Sequence, residues 1–123
     1  MTPTGRTVLV VDDDRDIRDA LSDVLHDESY RVVCASDGEE GIARLRAQPA
    51  PAVVLLDWMM PRCDGACFLR RQRADPALAG IPVVLLTADA RVLAHAAETG
   101  VQARIPKPVP LDELLAVIAK YAG

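Results

Sequence analysis

Short apolar runs alternate with amphipathic stretches along the whole chain. The run TVLVV (7–11) is β-branched, short and continuous, the pattern of a strand buried on both faces. RDIRDALSDVLHDESY (15–30) then brings Ile17, Leu21, Val24 and Leu25 to one helical face. RVVCA (31–35) reads as a second strand, and DGEEGIARLRAQ (37–48) as a helix with Ile42 and Leu45 inward. AVVLLD (52–57) is a third strand that ends in an acid, followed by the helix DGACFLRRQRAD (64–75) anchored by Phe68 and Leu69. IPVVLLTA (81–88) is a fourth strand. ARVLAHAAETG (90–100) is a helix that Gly100 closes as a C-cap. A short fifth strand, ARI (103–105), precedes PKPVP, and LDELLAVIAKYAG (111–123) is a last helix with Leu111, Leu114, Leu115 and Ile118 inward.

Five strands alternating with five helices form an α/β pattern. Right-handed crossovers place the helices on both faces of a parallel sheet, a doubly wound arrangement. Ligands of such sheets bind beyond the carboxyl ends of the strands. No repeat or linker interrupts the pattern, so residues 1–123 read as a single domain with no second, output domain.

Composition narrows this picture modestly. Half of the residues are apolar but only 3% are aromatic, so the core must be built from Val, Leu, Ile and Ala. A net charge of −4 argues against a general nucleic-acid binder. Cys34, Cys63 and Cys67 contain no CxxC pair, and with only His26 and His95 available no zinc pattern assembles. They read as reduced thiols of a cytosolic protein. No apolar run is long enough to cross a membrane, and the expected setting is cytoplasmic.

The strand ends carry the chemistry. Asp12 and Asp13 follow the first strand, Asp57 ends the third, Thr87 the fourth, and Lys107 follows the fifth. Clustered carboxylates at neutral pH either take up protons or hold a cation. Hard oxygen ligands suit Mg²⁺. A divalent cation beside an ammonium and a hydroxyl suits a phosphoryl group. An Asp carboxylate can itself be the nucleophile, and Asp57, on the middle strand of the set, is the best placed.

VLVVDDD, VVLLDWMMPRCDG, VVLLTA and KP together resemble the four signatures of response-regulator receiver domains of two-component signalling, in order and across essentially the whole chain. The resemblance implies a flavodoxin-like sheet of strand order 2-1-3-4-5 and a phosphoacceptor at Asp57. It implies Mg²⁺ (or Mn²⁺) held by Asp13, Asp57, the Met59 carbonyl and Asp12, directly or through water. It implies Thr87 and Lys107 against the phosphoryl oxygens, and a cis peptide before Pro108. Pro61 and Gly65 match the loop after the phosphoacceptor. The implied partners are a sensor histidine kinase or phosphotransfer protein and a downstream protein target. Neither nucleic acid nor membrane is expected as a direct partner. The reading surface would span residues 91–121 and include Arg104. Dimerisation on phosphorylation is compatible with this reading, but no residue pattern here argues for it. The chemistry would be self-modification and slow hydrolysis on Asp57, not turnover of a substrate.

Other readings fit less well. Asp12 and Asp13 alone could be a solvated helix N-terminus. Asp12, Asp14, Asp16 and Asp23 have calcium-loop spacing, but Ile17 stands where glycine is required. A haloacid-dehalogenase-type phosphatase would need Thr where Asp16 stands. A receiver-fold interaction module without phosphorylation would have no use for Asp13, Asp57, Thr87 and Lys107 together. The run Arg70, Arg71, Arg73 reads as a solvated helix face, and His95 as surface. Asp14 reads as the N-cap of the first helix, apart from the metal site. Two departures from the family stand out. Arg104 occupies the place of an aromatic on the fifth strand and is expected to point outward, because an unpaired buried charge is costly. Pro106 removes an N–H just before the lysine.

Overall fold

The computed structural model describes residues 6–47 and 50–122. Five parallel strands, β1 (Thr7–Val11), β2 (Arg31–Ala35), β3 (Val53–Asp57), β4 (Val83–Thr87) and β5 (Ala103–Pro106), form one sheet in the order β2-β1-β3-β4-β5. The helices are α1 (Arg15–Asp27), α2 (Gly38–Arg46), α3 (Gly65–Ala74), α4 (Ala90–Ala94) and α5 (Leu111–Ala122). The expected doubly wound fold and strand order are both observed. Gln48 and Gly123, the expected last residues of two helices, lie outside the described residues.

The three inner strands β1, β3 and β4 are buried at every position, which their unbroken apolar runs require. Alternation within a strand splits the core in two. Val8, Val10, Val53 and Leu55 face Leu21 and Leu25 of α1 and Leu114 and Ile118 of α5. Leu9, Val11, Val54 and Leu56 face Ile42 and Leu45 of α2 and Phe68 and Leu69 of α3. Each such side chain contributes about 1.5–3 kcal/mol on burial.

Four acids start helices. Asp14, Asp37, Asp64 and Asp89 each accept from backbone N–H groups of the first turn of α1, α2, α3 and α4. All four follow a strand, so the carboxyl edge of the sheet is also the capped edge of these helices.

Two helical expectations need correction. The helix expected over 90–100 is α4, five residues long, followed by a separate 3-10 turn over Ala96–Thr99. α4 buries no residue, and only Ala96 of the 3-10 turn is buried, so little packing holds a continuous helix there. Gly100 does close the segment in the left-handed conformation, at φ 79°. Leu111, expected inward, is 47% exposed. Periodicity sets the direction of a side chain around the helix axis, and Leu111 is the first residue of α5, with only Leu114, Ile118 and Ala122 of that helix buried.

Candidate functional site

The third strand delivers Asp57 to the carboxyl edge, where it is only 6% exposed. Beside it β1 ends and Asp12 follows, 1% exposed, its N–H donating to the Ala35 carbonyl at 3.0 Å. Oxygens of Asp12, Asp13 and Asp57 lie within 4.8 Å of one another, a donor set fitting a hard divalent cation. Asp13 is the exposed member and faces solvent.

Lys107 completes the pocket from beyond β5. Its Nζ donates to Asp12 Oδ2 at 2.9 Å and to Asp57 Oδ1 at 3.1 Å. Its backbone N–H donates to the Thr87 carbonyl at 3.0 Å, extending the sheet to the lysine. The Lys107–Pro108 peptide is cis, as the resemblance implied. Thr87 is 3% exposed, and its Oγ1 accepts the Asp89 N–H at 3.1 Å.

The charges strain against each other. Burial pushes the Asp57 carboxyl above its ordinary value of 3.8, the Asp12 and Asp13 charges add to this, and Lys107 only partly offsets it. Burial alone would lower the Lys107 ammonium, but Asp12 and Asp57 outweigh it and hold the group above its ordinary value. Three acids with one ammonium leave an anionic pocket that a cation would relieve.

The turn holding Asp12 and Asp13 is tightly tied. Asp12 Oδ1 accepts the Asp14 N–H at 2.9 Å, and Arg18 Nη1 donates to the Asp12 carbonyl at 2.7 Å. Asp14 Oδ1 accepts from Asp16 at 2.9 Å and Ile17 at 3.3 Å, the expected cap. The expected triplet thus divides into two pocket acids and one cap. Met59, two residues beyond Asp57, has a side chain 66% exposed. Its side chain is not a pocket group. Gly65 is needed for close approach: a β-carbon there would meet the Trp58 ring and backbone, and its N–H donates to the Trp58 carbonyl at 2.9 Å. Arg104 is exposed on β5, outside the pocket, and His95 is exposed on the surface.

Three features were not read from the sequence. Arg18 has no periodic or motif signal. Arg62, with a left-handed φ of 63°, places Nε 2.6 Å from Asp37 Oδ2. The Glu40 N–H and then this guanidinium hold Asp37 below the usual carboxylate range. The signal for Asp37 was the Asp-Gly pair before a helix, an N-cap mark. Finally, Cys63 and Cys67 form a disulfide, correcting the reading of all three cysteines as reduced thiols. Cys63 precedes the α3 N-cap and Cys67 lies in its first turn, so the extended entry at Asp64 brings the two Cα atoms to 5.3 Å, within disulfide range. Cys34 is free, its sulfur 3.3 Å from Ser22 Oγ.

Comparison with known proteins agrees with this geometry. The response regulator receiver domain family matches residues 8–119. The response regulator MprA of Mycolicibacterium vanbaalenii is 41% identical over 113 residues, covering 89% of this chain and 47% of that protein. The phosphate regulon transcriptional regulatory protein PhoB of Escherichia coli is 35% identical over 116 residues, covering 93% of this chain and 50% of that protein. This chain therefore spans about half the length of these curated relatives. A crystal structure of a putative response regulator from Chloroflexus aurantiacus superposes with a TM-score of 0.87 at 28% identity, over 95% of this chain and 97% of that one.

Proposed function

The chain belongs to the response regulator receiver domain family of two-component signalling, and from that membership we propose that Asp57 accepts a phosphoryl group from the phosphohistidine of a sensor kinase or phosphotransfer protein. The observation that carries this reading is the Lys107 ammonium bridging Asp12 and Asp57, with Thr87 at the neighbouring strand end.

Lys107 bonds Asp57 Oδ1, and Oδ2 has no hydrogen bond to the protein among the described residues. An Asp57 carboxylate oxygen attacks phosphorus, the P–N bond to the donor imidazole breaks, and the imidazole leaves with that electron pair and takes up a proton. Lys107 and the Thr87 hydroxyl supply positive charge and a hydrogen bond to the transferring oxygens. Asp12, Asp13, Asp57 and the Met59 carbonyl are the groups that would hold Mg²⁺ (or Mn²⁺). When bound, the cation offsets charge on the phosphoryl oxygens. Water later releases phosphate from Asp57, so the protein modifies itself and turns over no separate substrate.

The phosphorylated pocket then biases a two-state equilibrium read by a downstream protein, through residues 91–121. Thr87 would pass the change on by giving up its bond to the Asp89 N–H, which starts α4. Arg104 belongs to this surface as an exposed charge. The setting is the cytoplasm, where the phosphodonor is.

The test is incubation with a small acyl phosphate and Mg²⁺, followed by intact mass. One added phosphoryl group, absent in Asp57→Asn, is expected. No adduct would favour an interaction module that works without phosphorylation. Phosphate released from unrelated phosphoesters would favour a phosphatase.

A further inference from the structure

We infer that the Cys63–Cys67 bridge is a reversible modification site, opened by a dithiol reductant, and that its state sets how firmly the loop after the phosphoacceptor is held. The inference rests on the proposed function, because disulfides in the compartment of a phosphohistidine donor are usually transient or redox-sensing rather than structural.

The bridge joins the end of the loop, at Cys63, to the first turn of α3, at Cys67. Its two ends differ in access. Cys63 is buried, and a β-carbon on Gly38 would stand 2.7 Å from its sulfur. Cys67 is partly exposed. An incoming thiolate therefore reaches Cys67, and Cys63 is the leaving group. The Cys63 sulfur lies against the first residue of α2, the positive end of that helix, with Arg62 beside it in sequence. The nearby Asp37 charge is already taken up by the Glu40 N–H and Arg62. A stabilised thiolate leaves faster.

The exchange balances. One thiolate of the reductant attacks the Cys67 sulfur, and the S–S bond breaks with its electron pair passing to Cys63, which takes up a proton. The second thiol of the reductant then attacks its own sulfur in the mixed disulfide and displaces Cys67. The products are protein dithiol and oxidised reductant, two electrons having moved to the protein.

Opening the bridge leaves the fold in place. The Cys63 carbonyl still accepts the Gly38 N–H at 2.7 Å, Arg62 still pairs with Asp37, and Asp64 still caps α3 through the Cys67 N–H at 3.0 Å. What is lost is the covalent tie between α3 and the loop that begins beside Asp57 and carries the Met59 carbonyl. Groups that orient metal ligands from outside the ligand set are worth roughly tenfold in affinity, so a tether four residues away is expected to change Mg²⁺ affinity by about threefold or more.

The experiment uses the intact chain, equilibrated with graded ratios of a reduced to oxidised dithiol. Each sample is acid-quenched from the native state, then unfolded and alkylated without reductant so that mass counts the thiols, and fluorescence of Trp58, the sole tryptophan, reports Mg²⁺ titration beside Asp57. Two further thiols should appear reversibly, with weaker Mg²⁺ binding in the reduced form. Cys67→Ser should sit at the reduced value and ignore the reductant, and Cys34→Ser should behave as the parent. Thiols that form only when the reductant acts on the unfolded chain overturn the inference, as does one Mg²⁺ midpoint for both redox states. The parent chain alone decides the matter if Cys67→Ser does not fold. Failure of Asp57 to phosphorylate in either state would strike the proposed function instead, since thiol count and Mg²⁺ titration do not depend on it.

Discussion

The two connections that flank the pocket carboxylates are built in opposite ways. The β1–α1 turn is three residues long, and backbone hydrogen bonds engage Asp12 and Asp14 within it. Arg18 fastens it again from one turn into the helix. The β3–α3 loop, from Trp58 to Asp64, is tied at its far end by the Cys63–Cys67 bridge, the Gly38 N–H and the Arg62–Asp37 pair. Near Asp57 it exposes Met59. The short turn places Asp12 and Asp13 in the pocket, and the longer loop follows Asp57, the proposed phosphoacceptor, at the end of β3. A turn already held by hydrogen bonds lowers the reorganisation that a bound charge demands.

Lys107 touches carboxylates on both sides of the pocket, Asp12 and Asp57, so its removal should have the largest effect. Lys107→Ala is expected to slow phosphoryl uptake from an acyl phosphate by roughly a hundredfold, measured by mass against time. A rate within a few-fold of the parent would mean the bridge is only structural.

Within the rigid turn, Asp13→Asn should weaken Mg²⁺ binding by about tenfold or more, read by Trp58 fluorescence. Asp14→Ala should leave Mg²⁺ affinity nearly unchanged. Equal losses would abolish the division of the acidic triplet.

Acidity tests the β3 side of the pocket. Because the Asp57 carboxyl is raised, protons should compete with Mg²⁺ above the ordinary value of 3.8, and affinity should fall with decreasing pH from there. The sign for stability is opposite to that of a salt-bridged aspartate. A carboxyl with a raised folded pKa contributes stability below its unfolded pKa and loses it as pH rises through the folded one. At neutral pH the ionised Asp57 therefore costs stability, and metal-free Asp57→Asn should melt higher than the parent, with the difference shrinking in acid. A lower melting temperature would show that Lys107 more than compensates the repulsion.

Smaller effects complete the ranking. Asp14→Ala should cost about 1 kcal/mol in denaturant unfolding, the value of one cap. Met59→Ala should cost less than about 0.5 kcal/mol and spare Mg²⁺ binding, since only its carbonyl is proposed as a ligand. A large loss there would show that the side chain shields the pocket.

Much of the architecture was legible because β-branched runs and helical periodicity are local signals. β1 and β2 fall on the expected residues, and the other strands differ only at their ends. The pocket was legible because parallel sheets gather strand ends, which brought Asp12, Asp57, Thr87 and Lys107 together from distant positions. The strand order came from family resemblance, since periodicity does not say which strands are neighbours. The break after α4 was missed because its small and polar residues offer periodicity without enough buried area to enforce a helix. The disulfide was missed because spacing alone does not encode the bend at an N-cap. Arg62 was missed because its partner, Asp37, is set by tertiary approach, and Arg18 because a side-chain bond to a nearby main-chain carbonyl leaves no residue pattern.

The exposed strand β5 has a further consequence for how the molecule meets its own copies. It is an edge strand, and an edge with free N–H and C=O groups invites another chain to add a strand and polymerise. The Lys107 N–H points to Thr87, so by alternation the position of Pro106 faces the open side, where proline presents no N–H. Arg104, two residues before, adds an exposed charge to the same strand. The two residues that depart from the family pattern therefore guard the β5 edge of the sheet against an added strand. Self-association at this edge should then proceed through side-chain surfaces and not through a continued sheet.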